Sequence, residues 1–523
     1  MASRIPWLQR FGRRSLLRGA AIGAASLAFG RGCDSGGGVI DLPHPLIIGS
    51  GFGGAVSALR LAEAGIGATV LERGRRWAIS PEGDTFCSMR DPDGRAAWMS
   101  RRTHIGLSAP VQRYAGLIER FEGDAIDAIL PAAVGGGSLV YAGMMVRPPE
   151  DLFTSLFPAE VRYADMLERW YPKVAELLPM APIPDALLET EGYAATRLFT
   201  DQAEAAGLPV ERNLSTTDWN LVLAEVQGDL PPEASVGDYI YGLNSGAKGQ
   251  LDRTYLAQAE ATGLVEVRPL HQVTAIAADP SGGYRIDCER IDEQGEVLET
   301  LRFRAPALFL AAGSIHSTRL LVEARARGDL SQLAGAVGEG WGNNGQHIYM
   351  RSGLGVSVGA YQGGPPSVVI RDLDNPIAPV TIEHGAAAFG YDCGCLICPS
   401  SSINDGHGRL VWDASEERTR LEWDEANGLS AIAASEQVGE RLNAMHGGEL
   451  APLPGGGRRS TFHPLGGLVM GRATDTFGRV MGYQGLYVVD GALVPGATPT
   501  ANPSWTIAAL AERCLDTIVR EDF

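Results

Sequence analysis

The stretch HPLIIGSGFGGAVSALRLAEAGIGATVLERG, residues 44–74, decides the fold of this chain. It opens with a short apolar run at 46–48, which is typical of a buried strand in a parallel sheet. An apolar helical pattern follows as far as Ala64, and a second strand is predicted over 68–71. Three glycines stand between the first strand and the helix at the spacing G-x-G-x-x-G, namely Gly49, Gly51 and Gly54. The stretch therefore predicts a strand–helix–strand unit of an α/β protein.

Each residue type in this unit suits the binding of a dinucleotide. Gly49 permits the tight turn, Gly51 lets the backbone approach a pyrophosphate at the helix N-terminus, and Gly54 allows close packing of helix on strand. Glu72 ends the second strand, where it can accept hydrogen bonds from ribose hydroxyls. The alternative is a glycine-rich turn in an ordinary α/β unit. Because strand, helix and acid are all in place, a dinucleotide site is favoured, but the motif alone does not separate NAD from FAD.

Two further segments favour FAD. AAVGGGSLVYAGMM at 132–145 contains Gly135–Gly137, whose backbone can lie against a flat ring system or a diphosphate. PALFLAAGSIHSTRLL at 306–321 is an apolar strand that runs into Ala-Gly-Ser and a helix. The glycines of VGEGWGNNG at 337–345 lack the parallel-strand context that a second, NAD-binding motif would need.

Composition limits the class of protein. The chain has 523 residues, of which 45% are hydrophobic and 20% charged, as in soluble globular proteins of two domains. Its formal net charge of −18 argues against nucleic acid as a partner and against electrostatic docking on anionic lipid.

Residues 1–32 are predicted to be an export signal, followed by a linker at 33–38. The apolar run from Gly19 to Gly30 is too short to span a bilayer. Arg13-Arg14 before Ser-Leu-Leu is typical of the twin-arginine type, so a periplasmic or secreted location is expected, with an uncleaved apolar helix as the alternative. Cys33 is a candidate for lipid anchoring, but the residues before it match such sites poorly and the unlipidated form is favoured.

The seven cysteines do not form the pattern of a disulfide framework. Cys393, Cys395 and Cys398 cluster in YDCGCLICP, and metal ligation is one interpretation. Because a second ligand pair at zinc spacing is missing, a buried strand with small apolar cysteines is preferred, and no metal is predicted.

Near the C-terminus, STFHPLGGLVMG at 460–471 places His463 in an otherwise apolar run. A histidine there is either packed in the core or chemically active. With both ends in view, the chain resembles the glucose–methanol–choline flavoprotein oxidoreductases, most closely their non-covalent cholesterol oxidase branch, over nearly all of 39–523. The stretches that carry the resemblance stand in the same order as in that family, namely IIGSGFGGAVSALRLAEAG, VGGGSLVYAGM, LHQVTAI, LFLAAGS, VGEGWGNNG, FHPLGG, GRVMGYQGLYVVDGALVPG and ANPSWTIAALAER.

The resemblance implies a role for each matching residue. The implied contacts of non-covalent FAD are Phe52 and Glu72 with the ADP part, Gly136, Gly137 and Met144 with the flavin, Val273 with the adenine through its backbone, and Asp490 and Gly491 beside the flavin ring. His463 and Asn502 are implied to be the catalytic pair beside flavin N5, and Glu383 the carboxylate that moves a proton during steroid isomerisation. The apolar surroundings of Glu383 suit a proton shuttle, although a solvent-facing acid on an edge strand stays open.

The implied fold is α/β, with a discontinuous FAD-binding domain of the dinucleotide-fold type and an inserted α+β substrate domain built on an antiparallel sheet. The FAD-binding domain is predicted at 39–76, 111–180, 246–338 and 462–523. The substrate domain is predicted at 77–110, 181–245 and 339–461.

The implied activity is oxidation of a secondary alcohol, a 3-hydroxysteroid or sterol, by hydride transfer to flavin N5, with steroid double-bond isomerisation as a following step. The expected partners are that apolar substrate, O2 or another electron acceptor, and a membrane surface for substrate uptake. The chain departs from the cholesterol oxidases at Tyr141 and at Ser504-Trp505, and 345–460 matches poorly. Two alternatives therefore stay open: a dehydrogenase of another bulky apolar alcohol that uses a quinone or carrier, and a flavin-binding protein without alcohol turnover.

Overall fold

The strand–helix–strand unit predicted over 44–74 is present in the computed structural model, which describes residues 38–106, 108–453 and 459–523. Its strands span Leu46–Ile48 and Ala68–Leu71, and its helix spans Phe52–Glu63. The predicted export signal, Cys33 and all of the predicted linker except residue 38 lie outside the described residues.

The described residues contain 23 strands. In chain order they are β1 (Val39–Asp41), β2 (Leu46–Ile48), β3 (Ala68–Leu71), β4 (Ile118–Glu122), β5 (Ile126–Pro131), β6 (Met144–Met145), β7 (Val210–Arg212), β8 (Leu214–Ser215), β9 (Val265–Arg268), β10 (His271–Ala278), β11 (Tyr284–Ile291), β12 (Val297–Ala305), β13 (Leu308–Leu310), β14 (Glu339–Trp341), β15 (His347–Ser352), β16 (Val368–Asp372), β17 (Val380–Glu383), β18 (Leu396–Ser401), β19 (Gly408–Asp413), β20 (Arg418–Glu422), β21 (Glu449–Pro452), β22 (Arg459–Thr461) and β23 (Leu486–Val488).

The α-helices of the described residues are α1 (Phe52–Glu63), α2 (Glu150–Leu156), α3 (Tyr163–Asp165), α4 (Tyr171–Leu177), α5 (Asp185–Leu188), α6 (Ala194–Ala205), α7 (Trp219–Gln227), α8 (Tyr255–Ala261), α9 (Gly313–Arg327), α10 (Leu429–His446) and α11 (Pro503–Asp522). A π-helical segment, Met166–Trp170, joins α3 to α4. Short 3₁₀ turns stand at Gly94–Ala96, Gly136–Leu139, Glu191–Tyr193, Ala234–Val236, Glu425–Gly428 and Gly491–Leu493. No helix within the described ranges is both long and apolar enough to cross a membrane.

A five-stranded parallel sheet with the order β23-β13-β2-β3-β9 forms the centre of the largest core. Strands β2, β3, β13 and β23 are buried along their whole length, as their continuous apolar sequences predict. Helix α1 packs against β3, α8 and α11. Strand β13 followed by α9 confirms the strand and helix predicted over 306–321.

A second, antiparallel sheet has the order β21-β15-β18-β17-β16-β7. Helices α6 and α10 pack on it, and apolar side chains of strands and helices form a separate core. Strand β17 lies between β16 and β18, so Glu383 at its end is on an inner strand and not on an edge strand facing solvent. The smaller sheets are β1-β12-β11-β10, β14-β19-β20, β22-β5-β4 and β6-β8.

The cysteine cluster differs from the sequence prediction. Cys393 and Cys395 form a disulfide, and only Cys398 lies within the buried strand β18. The preference for three small apolar cysteines was therefore wrong for two of them, because a C-x-C pair gives no spacing pattern that distinguishes a bridge from free thiols. In the part of the chain that the structure describes, no cluster of His, Cys, Asp and Glu is arranged to hold a metal ion.

Candidate active site

A cavity of about 1500 Å³ begins where the parallel strands β2 and β13 end. The carboxyl ends of parallel strands are the usual binding edge of such sheets. The cavity continues to the antiparallel sheet, where residues of β15, β17 and β18 line it. Typical ligand pockets measure about 300–1,000 Å³, so this cavity has room for more than one small ligand.

The floor of the cavity is made of backbone, because two glycine loops meet there. Gly136 has a φ of +54°, and a Cβ built on it would lie 2.6 Å from the Cα of Gly51. A Cβ on Gly53 would lie 2.0 Å from the carbonyl oxygen of Val489. Side chains at these positions would collide with the facing backbone, so only glycine lets the segments approach closely enough to form this floor. The first turn of α1, whose N–H groups lack intrahelical partners, also lines the cavity.

Glu72 is buried beside this floor and lines the cavity. Its Oε2 accepts hydrogen bonds from the backbone N–H of Ser50 at 3.0 Å and from the Ser50 hydroxyl at 2.7 Å. Its Oε1 accepts a bond from the N–H of Gly74 at 2.8 Å. A carboxylate has about four acceptor sites, so one remains for a ligand hydroxyl. Burial raises the pKa of Glu72, and the bonds from Gly74 and Ser50 oppose that rise.

Asp490 holds the opposite loop. Its carboxylate accepts hydrogen bonds from the N–H of Gly313 at 2.8 Å, the hydroxyl of Ser317 at 2.6 Å and the N–H of Ala492 at 2.8 Å. These bonds fix the start of α9 against the turn that begins at Gly491. The other predicted cofactor residues also line the cavity, namely Gly49, Phe52, Gly137, Met144, Val273 and Gly491, whereas Gly54 packs behind it against Gly49 and Ala311.

These observations fit a dinucleotide. The backbone floor, the free acceptor site of Glu72 and the helix N-terminus suit an ADP moiety. The residues present therefore fit FAD, with the part of the cavity beyond Gly136 and Met144 available to the rest of the molecule.

At the far side of the cavity, Glu383 and Asn502 form a direct pair. The Nδ2 of Asn502 donates to the Oε1 of Glu383 at 2.9 Å. Burial raises the pKa of Glu383 to about 7, and the bond from Asn502 opposes that rise. The Oδ1 of Asn502 is buried and has no hydrogen-bond partner among the described residues. Because both residues line the cavity, this acceptor is available to a polar group of a ligand.

His463 lines the same cavity and is half-buried. Its Nδ1 lies 3.2 Å from the Nδ2 of Asn344, and its Nε2 lies 3.4 Å from the Nε2 of Gln346. Burial lowers the pKa of the His463 imidazole to about 3. The low pKa value follows from burial, which disfavours the charged imidazolium.

His384 is not part of this group. It follows Glu383 and turns to the opposite face of the strand, where its ring packs against Phe199 with centroids 5.7 Å apart. Its Nδ1 lies 3.3 Å from the hydroxyl of Thr196. The structure thus separates the two neighbouring side chains.

The substrate side of the cavity is apolar. Ile348, Met350 and Ile397 line it from the antiparallel sheet. At its edge, Phe389 and Tyr391 are 41% and 63% exposed and stack with ring centroids 5.8 Å apart. Such an exposed aromatic pair beside a cavity is typical of an entrance for apolar ligands.

Sequence reasoning missed two residues of the site and noted a third, Tyr141, only as a departure from the family. Asn344 and Gln346 contact His463, but no role was assigned to Asn344 in the segment 337–345 or to Gln346, which follows it. The hydroxyl of Tyr141 donates to the carbonyl of Gly249 at 2.6 Å and shares a hydrogen bond with the hydroxyl of Thr216, which fixes the loop after the triple glycine. The single pair Asn343-Asn344 in a glycine-rich turn was the sequence feature that indicated a role for side chains there.

Comparisons with known proteins agree with this geometry. Residues 413–511 match the sequence model of the C-terminal region of GMC oxidoreductases. The chain is 25% identical to a cholesterol oxidase of Acinetobacter baumannii, covering 90% of this chain and 94% of that protein. It is 27% identical to a cholesterol oxidase of Mycobacterium tuberculosis, covering 90% of this chain and 89% of that protein.

Solved structures share the fold. A pyridoxine 4-oxidase from Mesorbium loti superposes with a TM-score of 0.62 at 14% identity, covering 91% of this chain and 99% of that one. A fungal aryl-alcohol oxidase superposes with a TM-score of 0.63 at 14% identity, covering 92% and 99%. At such identities the likeness concerns the mixed α/β architecture alone.

Proposed function

We propose that this chain, an FAD-dependent alcohol oxidoreductase of the glucose–methanol–choline family, oxidises a bulky apolar secondary alcohol, a 3-hydroxysteroid or sterol, to the ketone. One observation carries the proposal: the Glu383–Asn502 pair, with its unpartnered amide oxygen, stands in an apolar-walled cavity that is continuous with the glycine floor. This arrangement fits an apolar ligand that carries a polar group at one end.

The cofactor would be held by the glycine floor, the Glu72 carboxylate and the Asp490 turn, without a covalent link. When bound, FAD supplies the acceptor for the hydride that leaves the alcohol carbon. We assign the segments at 39–76, 111–180, 246–338 and 462–523 to the FAD-binding domain and those at 77–110, 181–245 and 339–461 to the substrate domain. Support comes from the parallel sheet in the first set and the antiparallel sheet of β15–β18 and β21 in the second.

The hydroxyl proton needs an acceptor, and the pKa values favour Glu383 over His463. A carboxyl with a pKa of about 7 is partly ionised at neutral pH and holds a proton well after accepting it. An imidazole with a pKa of about 3 stays neutral, and its N–H can orient the substrate oxygen. The free Oδ1 of Asn502 can accept the hydroxyl hydrogen of a bound alcohol before oxidation.

Glu383 also supports the proposed isomerisation. After it has released the hydroxyl proton, the carboxylate can take a proton from the carbon between the ketone and the double bond and return it to the far carbon of that double bond, so the double bond migrates with no net change in protons. Glu383 lies on an inner strand that lines the cavity, where a bound steroid skeleton can reach its carboxyl group.

The exposed pair Phe389 and Tyr391 supports contact with a membrane surface for substrate uptake. Because the net charge is −18, such contact would rest on apolar insertion and not on attraction to anionic lipid. Export through the Arg13-Arg14 signal to the periplasm or medium, without lipid at Cys33, is part of the same proposal, as is O2 or another acceptor for the reoxidation.

The test is anaerobic mixing of the FAD-loaded protein with a panel of sterols, steroids and smaller apolar alcohols. Bleaching of the flavin absorbance by a 3-hydroxysteroid, with the ketone as product, is expected. Bleaching by small alcohols alone would reject the substrate class, and absence of bleaching by every alcohol would leave a flavin-binding protein without this activity. Reoxidation by O2, compared with a quinone, then identifies the electron acceptor.

A further inference from the structure

The loop between β14 and β15 approaches His463 with two amide side chains. Asn344 and Gln346 are both buried, with exposures of 0% and 5%. Asn344 has a φ of +63°, a left-handed conformation that costs a non-glycine residue energy and is retained where surroundings require it. The bend carries both amides to the two nitrogens of one imidazole.

The orientation of the Asn344 amide is fixed by its other partners. Its Oδ1 accepts hydrogen bonds from the backbone N–H of Thr498 at 2.7 Å and from the Thr498 hydroxyl at 3.3 Å. Its Nδ2 donates to the carbonyl oxygen of Ala501 at 2.8 Å. Exchange of the oxygen and nitrogen would place donor against donor and acceptor against acceptor. The NH₂ group therefore faces the Nδ1 of His463.

The Gln346 amide is fixed in the same way. Its Oε1 accepts from the backbone N–H of Phe462 at 2.6 Å and from the hydroxyl of Thr461 at 3.0 Å. The donor of the first bond is backbone and cannot reverse. The NH₂ group of Gln346 therefore faces the Nε2 of His463.

From these contacts we infer that Asn344 and Gln346 are positioning residues that hold His463 as a neutral imidazole. An imidazolium carries an N–H on both nitrogens and would meet an NH₂ donor at each. A neutral ring has one nitrogen that accepts from an NH₂ group, at contact distances of 3.2 Å for Nδ1 and 3.4 Å for Nε2. The imidazolium has no acceptor at all, so the two facing donors favour the neutral ring.

Other ionisable groups do not account for this preference. No charged side chain of the described ranges hydrogen-bonds the ring, and its two side-chain neighbours are neutral amides. Titratable side chains that line the cavity include Glu383, which is bonded to Asn502, and the phenol of Tyr239. Burial of the ring acts in the same direction as the two amides, because it also disfavours the imidazolium.

The inference rests on the proposed function only for its use in catalysis, and the protonation state can be measured without substrate. The decisive variant is Gln346→Glu in the FAD-loaded full chain. One carboxylate oxygen keeps the bonds from Phe462 and Thr461, and the other places an acceptor where the NH₂ group stood. Gln332→Glu adds the same charge at an exposed position and is the matched control.

The measurement is the titration of the histidine ring signals by NMR with ¹³C- and ¹⁵N-labelled histidine, with His463 assigned through His463→Gln. The titration runs from pH 4 to 9, and in the wild type and in Gln332→Glu the His463 ring should remain mainly neutral over this range. In Gln346→Glu, its pKa should rise by about one to three pH units, the range for a carboxylate at contact distance. The rate of alcohol-dependent flavin reduction should then fall below that pKa.

A wild-type His463 that titrates near its ordinary pKa would overturn the inference. So would an unchanged titration in a folded, FAD-loaded Gln346→Glu variant. If the ring behaves as expected but no alcohol reduces the flavin, the positioning role stands and the proposed function fails, so the two failures are distinguishable.

Discussion

Replacing Glu383 by Gln tests the proposed proton acceptor most directly. The amide keeps the shape of the side chain, and its oxygen can still accept the bond that Asn502 donates at 2.9 Å. It cannot take up the hydroxyl proton. A positioned general base contributes about 10²–10⁴-fold, so flavin reduction by a saturating alcohol should slow by that factor.

The pH dependence of the flavin reduction rate provides a second quantitative test of Glu383. With a pKa of about 7, the ionised fraction of Glu383 falls about tenfold for each pH unit below that value. The wild-type rate of flavin reduction in anaerobic stopped flow should therefore rise with pH to a plateau above about pH 7. The slow Gln variant should lack this rise.

Stability provides an independent check of the same pKa. The pKa of Glu383 is raised from 4.5 to about 7, so the folded state binds the proton more tightly than the unfolded state. That contribution to stability is complete below the unfolded value and is lost as the pH rises through the folded value, a change of about 3 kcal/mol. Glu383→Gln removes the pH-dependent loss, so its stability relative to the wild type should be higher at pH 8 than at pH 4.

The control is Glu225→Gln. Glu225 is also buried with a raised pKa, and its Oε2 accepts the N–H groups of Glu233 and Ser235 at 2.9 Å, which an amide oxygen can also do. This variant should reduce its flavin at the wild-type rate. A normal rate and pH profile in a folded Glu383→Gln variant would refute the assignment of Glu383 as the proton acceptor.

Three further predictions concern the cofactor, the histidine and export. Gly136→Ala should lose most of its FAD, measured as released flavin per protein, because the new Cβ would lie 2.6 Å from the Cα of Gly51. The control Gly228→Ala, at a φ of +83° with open space around it, should keep its FAD, and equal occupancy in both variants would contradict the glycine floor. His463→Ala should lower the flavin reduction rate by about 10²–10³-fold, the loss typical of one positioned hydrogen-bond donor, and should keep FAD. His463→Gln should recover part of the rate through its N–H, and an unchanged rate in Ala would make the residue a packing histidine. Arg13-Arg14→Lys-Lys should leave the protein in the cytoplasm with FAD bound, measured by fractionation and flavin fluorescence, and continued export would reject the twin-arginine prediction.

The dinucleotide unit could be predicted from sequence because its information is local. The strands at 46–48 and 68–71 have the predicted bounds, and the helix between them ends within one residue of its prediction. Buried parallel strands are continuous apolar runs. Each glycine in the turn allows a backbone conformation or a close approach that a side chain would prevent. The strand and helix over 306–321 were predictable for the same reason.

The partners of His463 were not predictable because they depend on tertiary contacts. Asn344 and Gln346 lie more than a hundred residues before it, in a loop whose bend is set by Thr498, Ala501 and Phe462. The disulfide between Cys393 and Cys395 was missed since the pairing of two cysteines follows their geometry and not their count. The pKa of His463 likewise depends on how deeply the ring is buried. Its apolar sequence neighbours suggest burial but do not give its extent.

Burial shifts the pKa values of Glu383 and His463, the two titratable groups of the proposed site, in opposite directions, and this reverses the ordinary order of the two pKa values. In water a carboxyl has the lower pKa and an imidazole the higher one, so the imidazole would be the better proton acceptor. In this cavity burial disfavours the carboxylate and the imidazolium alike, which raises the pKa of Glu383 to about 7 and lowers that of His463 to about 3. The carboxyl then becomes the group that takes up a proton near neutral pH, and the imidazole becomes a neutral donor. Because both effects have one cause, a polar substitution that admits water to the apolar wall should bring the two pKa values back toward each other and should impair proton uptake and substrate orientation together.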